Sequence, residues 1–148
     1  MEIIVKPIGT IHSPFKTKDD ISTQRNADPR GFDSIRGTLE ILPAHTEGLK
    51  DIDGFSHLIL LFSFHKSREE KHLVRPPYET EERGVFSSRS PHRPNFIGMT
   101  VVRLHKTKEN ILEVSGIDML DGTPILDIKP YITQDLKTDI SLGWMDKD

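Results

Sequence analysis

A chain of 148 residues suits one domain and is long enough to bury a core without disulfides or a structural metal. It has no cysteine, which excludes disulfide frameworks, thiolate-bound zinc, iron–sulfur clusters and thiol nucleophiles together and fits a cytoplasmic protein. The net charge of −3 excludes a globally basic nucleic-acid binder, so any contact of that kind must rest on a local patch.

The opening residues, MEIIVKPIGTIHSPF, lack a basic stretch followed by an apolar run, so no signal peptide is expected. Residues 3–11 are rich in β-branched side chains and predict the first strand. Residues 37–42 (GTLEIL) alternate apolar and polar and predict the second. A short helix is predicted over 46–52, ending at Gly54. Residues 57–64 (HLILLFSF) are almost continuously apolar, as in a strand buried on both faces, and their 58–62 run is too short to span a bilayer. Residues 66–83, with Arg75-Pro76-Pro77-Tyr78, read as a long exposed loop. Strands follow at 97–104, 111–117 and 125–128, and a polar turn at Asn110 makes 99–117 a hairpin. No segment carries an apolar repeat at helical spacing over three turns. The fold class expected is mainly β, a barrel or sandwich with little helix.

Three features carry candidate chemistry. Residues 87–98 (SSRSPHRPNFIG) set Arg89, His92 and Arg93 in a proline-fixed loop before a strand. Between 83 and 108 stand Arg83, Arg89, Arg93, Arg103, Lys106 and Lys108 with no acid, a basic patch that Lys66, Arg68, Lys71 and Arg75 extend. Guanidinium forks suit carboxylates and phosphates; the alternative is a solvated loop whose arginines pair with acids elsewhere. Residues 118–131 (DMLDGTPILDIKPY) gather Asp118, Asp121 and Asp127 near Lys129 around an Asp-Gly turn. These acids suit a cation, ribose hydroxyls or a proton in transit; the alternative is an ordinary hairpin turn. His65-Lys66 closes the most apolar strand, either as a pocket lining or as a plain strand end. His12, His57, His72 and His105 lack metal-ligand spacing, so no metal site is expected. Neither a phosphate-cradling GxxxxGK[ST] nor a GxGxxG motif is present.

In chain order, Ile8-Gly9-Thr10-Ile11 with Ser13-Pro14-Phe15, Gln24, Gly54-Phe55-Ser56-His57-Leu58, the strand from Leu61-Phe62 to His65, and Val85-Phe86 precede two longer motifs. These are RSPHRPN at 89–95, followed by Ile97-Gly98, and DGTPILDIKPY about two dozen residues later. Together they cover about nine-tenths of the chain, which resembles the TsaA-like (TrmO-like) family of tRNA adenosine N6-methyltransferases. The resemblance implies a small antiparallel β-barrel as a single domain over 1–148, with an ordered core at about 3–131 and a polar tail. It further implies a homodimer that binds S-adenosyl-L-methionine and methylates N6 of threonylcarbamoyladenosine in the tRNA anticodon stem-loop. The cofactor residues so implied are Thr23, Gln24, His65, Lys66, Arg89, Leu120, Asp121, Gly122 and Thr123. Asp118, Asp127 and His65 are the candidate catalytic groups; Arg83, Arg93, Asn95, Lys129 and Tyr131 are the candidate tRNA contacts. The chain departs from the family's usual proline at Ser22 and at Phe96, and ends soon after Tyr131, where some members carry a further domain. Two other functions share the same cofactor residues: methyl transfer to a different substrate, and a non-catalytic S-adenosyl-L-methionine-binding module.

Overall fold

Short alternating segments cannot bury their apolar faces alone, and here they do so by closing on one another. The structure, a computed structural model, describes residues 1–28 and 30–146. The elements in chain order are β1 (Gly9–His12), α1 (Lys18–Ala27), β2 (Arg36–Ile41), β3 (His57–Ser63), β4 (Leu73–Val74), β5 (Arg83–Gly84), β6 (Ile97–Lys108), β7 (Ile111–Ser115) and β8 (Thr123–Pro130). Six antiparallel strands form a closed barrel in the order β1-β2-β7-β6-β3-β8, and β4 pairs with β5 beside it. The mainly β barrel with little helix is therefore as expected. Ile11, Leu39, Leu58, Leu60, Val102, Leu112, Val114 and Ile125 are fully buried. Branched side chains of this size fill a small barrel, so its centre is a packed core and ligands must bind outside it.

Several elements differ from the sequence expectation. The strand predicted over 3–11 begins only at Gly9; Ile3, Ile4 and Val5 are 74%, 81% and 59% exposed. Pro7 has no N–H to give, and pairing starts one residue later, where Ile8 donates to the Ile125 carbonyl at 2.8 Å. β3 is not buried on both faces. Leu58, Leu60 and Phe62 point into the core while Ile59 and Leu61 are partly exposed on the barrel's outer wall. Alternation in burial thus survives although alternation in polarity does not. The segment at 46–52 forms a 3-10 turn shifted to Pro43–Leu49, started by its proline. The 66–83 loop carries β4 and the start of β5. The predicted hairpin is present as β6–β7.

α1 carries no readable apolar repeat: in its sequence, KDDISTQRNA, the one large apolar side chain is Ile21, which packs part-buried against the core. It is also held at its start. The Thr17 hydroxyl accepts from the Asp20 N–H at 3.2 Å, and the Asp20 carboxylate accepts from the N–H groups of Lys16 and Thr17. Those donors keep the Asp20 carboxyl below its usual range. The tail after Tyr131 also has structure, with 3-10 turns at Thr133–Asp135 and Gly143–Met145.

Candidate active site

Where β3 ends and β6 and β8 begin, the barrel rim opens into a cleft of about 920 Å³. Its floor is Phe62, Phe64, Gly98, Met119 and Thr123. A bulge between Leu61 and Phe62, opposite β8, bends β3 at this point. The two phenyl rings meet edge to face with centroids 5.2 Å apart. A Cβ on Gly98 would lie 2.5 Å from Phe62 Cε2 and Cζ and 2.8 Å from Phe64 Cζ. Gly98→Ala should therefore force both rings off their positions and destabilise the protein by about 1–3 kcal/mol, read as a lower thermal midpoint.

One wall is α1, through Lys18, Ile21, Ser22 and Arg25. These are spaced i, i+3, i+4 and i+7, so one face of the helix serves the cleft. The facing wall is Arg75-Pro76-Pro77 and the loop from Ser88 to Arg93. Tyr78 spans the two, its hydroxyl donating to Asn26 Oδ1. Lys18, Arg25, Lys66, Arg75, Arg89 and Arg93 line the cleft, with Asp118 as the lining acid. None of the six cations is ion-paired with another described residue. The cleft is thus an anion-attracting surface in an acidic chain.

Asp118 is largely buried. Its Oδ2 accepts from the Thr100 hydroxyl at 3.3 Å, while its buried Oδ1 has no hydrogen-bond partner among the described residues. Burial raises its pKa above the usual carboxylate value; the Thr100 hydrogen bond, the residue's own backbone N–H and the charges of Arg25 and Arg89 oppose that rise without cancelling it. His65 is shifted down, first by burial and then by the Lys66 ammonium, and so is neutral at neutral pH.

The cleft brings together His65, Lys66, Arg89, Arg93, Asp118, Leu120 and Thr123 from the sequence candidates. The others stand elsewhere. Thr23 and Gln24 lie off the cleft-facing stripe of α1, and the Gln24 amide donates to the Gly31 carbonyl at 3.0 Å. Asp121 binds the Lys16 ammonium at 2.7 Å and the Ser13 N–H at 2.9 Å, which together hold its pKa down and tie the turn to the segment after β1. Gly122 donates to the Ile11 carbonyl in the same tie. Asp127 pairs with Lys129 at 2.8 Å and faces a separate hollow of about 560 Å³ with Ile8, Leu49 and Phe55. Tyr131, roughly 25 Å of extended chain beyond Thr123, packs edge to face on His57. Asn95 and Phe96 both take left-handed backbone, φ 67° and 52°, and neither lines the cleft. Phe96 thus adopts a conformation closed to the proline usual in the family. Arg83 is braced by Glu79 at 3.3 Å and Glu81 at 3.5 Å, behind the cleft lining. Arg103, Lys106 and Lys108 run away along β6, so the basic patch read from the sequence divides between the cleft and the barrel wall.

Lys18, Ser22, Arg25, Trp144 and Met145 line the cleft and were not among the sequence candidates. The helical stripe of the first three was legible only once Thr17-x-x-Asp20 is recognised as a capping box.

Residues 10–135 match the tRNA-methyltransferase O N-terminal domain family. The chain belongs to that family. A probable S-adenosyl-L-methionine-binding protein of Pyrococcus abyssi is 47% identical over 147 residues, covering 99% of this chain and 78% of that one. The tRNA (adenine(37)-N6)-methyltransferase of mouse is 42% identical over 137 residues, covering 88% of this chain. A crystal structure of TrmO from Pseudomonas aeruginosa superposes with a TM-score of 0.76 at 42% identity over 99% of this chain. This chain spans 31% of the mouse enzyme's length and 64% of the Pseudomonas chain. The tRNA-methyltransferase O barrel predicted from the two long motifs is thus the fold found. Among the described residues no His/Cys/Asp/Glu cluster has the make-up of a metal site, and no helix is long and apolar enough to cross a membrane.

Proposed function

We propose that this protein is an S-adenosyl-L-methionine-dependent tRNA methyltransferase that modifies N6 of threonylcarbamoyladenosine beside the anticodon. The observation that carries the reading is Asp118. It is a carboxylate with a raised pKa and an unpartnered buried oxygen, set in a cleft lined by six cations. Family membership supports the reaction type, and the name of the mouse relative supports an adenine N6 acceptor.

The residues present suit the cofactor. A carboxylate needs cations, which Arg89 and Arg25 provide; an adenosyl group needs an apolar bed, which Phe62, Phe64 and Met119 provide. When bound, S-adenosyl-L-methionine supplies an electrophilic methyl group. Everything else falls to the protein. Arg89 orients the cofactor's carboxylate by paired N–H donors. The N6 of a carbamoylated adenosine shares its lone pair with a carbonyl and is a weak nucleophile, so it must lose its proton as the new bond forms. Asp118 Oδ1 accepts that proton, and the desolvation that raises its pKa makes it a stronger base than a surface carboxylate. His65, neutral in the same cleft, is the next candidate for that proton. Arg75 and Lys66 hold anticodon-loop phosphates, joined by the part of the Arg93 guanidinium left over from bracing its own loop, where Nη1 donates to the Ser88 and Ser90 carbonyls at 2.9 and 3.3 Å. The cofactor turn at 120–123 acts through Leu120 and Thr123, with Asp121 and Gly122 fixing its position.

The reading includes a homodimer, supported by an apolar strip on the barrel wall. Ile97, Met99 and Val101 are 42%, 45% and 38% exposed beside Ile59 and Leu61, and Ile97 and Met99 also line the cleft. A cytoplasmic location follows from the substrate.

The decisive experiment gives purified protein methyl-labelled cofactor with tRNA that carries or lacks threonylcarbamoyladenosine. Label confined to the modified tRNA is the expected result, with RNA affinity falling steeply as salt rises because Lys and Arg displace counterions from phosphates. Label in neither tRNA, with the cofactor bound, would leave methyl transfer to a different substrate or, as the second reading, a binding module without transfer. That reading is supported by the archaeal relative, which is named for binding alone.

A further inference from the structure

The chain runs on past β8 with little to hold it. Leu136, Ile140 and Leu142 are 63%, 64% and 51% exposed. Trp144 then returns to the barrel, and its ring is fixed in two ways. The indole N–H donates to the Ser87 carbonyl at 2.8 Å. The Arg83 guanidinium lies over the ring, with Cζ 5.0 Å from its centroid. Arg83 is itself braced by Glu79 and Glu81. So fixed, Trp144 forms part of the cleft lining alongside the Ser88–Arg93 loop.

We propose that Trp144 is a substrate-binding residue on whose indole a base of the RNA stacks, and that Arg83 is the residue that positions it. This rests on the RNA substrate proposed above. Single-stranded RNA is gripped by aromatic faces for its bases and cations for its phosphates, and the cleft wall beside Trp144 supplies the cations in Arg75 and Arg93. A ring already held by an N–H bond and a guanidinium loses little further freedom when a base stacks on it. The substrate is favoured over the cofactor by place in the cleft: the apolar bed that suits the adenosyl group is Phe62, Phe64 and Met119 at the floor, whereas Trp144 stands on the wall, bonded to the Ser87 carbonyl beside the Ser88–Arg93 loop. Arg83, a candidate tRNA contact by sequence, thereby acts through the indole instead of touching the RNA.

Trp144 is the chain's single tryptophan, so its emission reports on this residue alone. The test titrates the full chain with a synthetic anticodon stem-loop RNA bearing threonylcarbamoyladenosine and separately with S-adenosyl-L-methionine, following tryptophan emission and, independently, RNA anisotropy. Quenching by the RNA and not by the cofactor is expected. Trp144→Ala should weaken RNA binding on the order of tenfold, with Trp144→Phe restoring most of it and calorimetric affinity for the cofactor unchanged in both. Arg83→Gln should shift the emission of the unliganded protein, which loss of a direct RNA contact would not do. RNA binding by anisotropy with unaltered emission, or with full affinity in Trp144→Ala, overturns the inference, as does quenching by the cofactor alone. No RNA binding by the unaltered protein would overturn the proposed substrate itself, and this inference with it.

Discussion

Replacing Asp118 with Asn should lower methyl transfer by about 10²–10⁴-fold, the range for removal of a general base, while cofactor affinity stays within a few fold. The amide keeps the shape of the carboxylate and its acceptor toward Thr100 but cannot take a proton. The same residue sets the pH dependence. The base form is required, and burial lifts its pKa above the usual carboxylate value, so the rate should climb with pH through a limb displaced upward from that value. Stability should move the other way. A carboxyl whose folded pKa is raised stabilises the fold below its unfolded pKa, and that contribution is lost as pH rises through the folded value. Asp118→Asn should therefore melt higher than the parent at neutral pH, with the difference vanishing in acid. Single-turnover rates across pH, read with thermal unfolding of both proteins, check the two halves together. An Asn variant of undiminished rate would assign the proton to another group, His65 first.

Arg89→Ala should weaken cofactor binding by about 10–150-fold, the loss of a hydrogen-bonded charge pair in a partly closed site. Calorimetry with the methylated cofactor and with its demethylated product should give the same loss, since the carboxylate is common to both. A second consequence separates Arg89 from a plain binding residue. Its charge is one of the influences that restrain the rise in Asp118's pKa. Removing it should carry the acid limb of the rate profile further toward neutral pH even at saturating cofactor. A profile that keeps its limb while affinity falls would confine Arg89 to binding.

Much of the architecture was legible because strand pattern is local. The GTLEIL alternation, the HLILLFSF run and the hairpin around Asn110 each declare themselves within a few residues. α1 did not, because a helix with a single large apolar side chain, Ile21, against the core has no apolar period to read; only its Thr17–Asp20 cap betrays it. Nor did the sequence divide its own motifs correctly. DGTPILDIKPY reads as one acidic cluster, yet β8 starts at the cleft with Thr123 and leaves it, carrying Asp127, Lys129 and Tyr131 to another part of the barrel wall. Likewise Arg103, Lys106 and Lys108 are separated from Arg89 and Arg93 by the length of β6.

By itself the sequence determined the family and the barrel, since motif order and strand alternation are properties of neighbours along the chain. Which of those residues meet was decided only by barrel closure. Closure puts the end of β3 and the starts of β6 and β8 at one opening, desolvates Asp118 there, and returns Trp144 to a carbonyl 57 residues earlier in the chain. Burial and proximity of that kind arise from contacts between distant segments, and no local pattern of side chains encodes them.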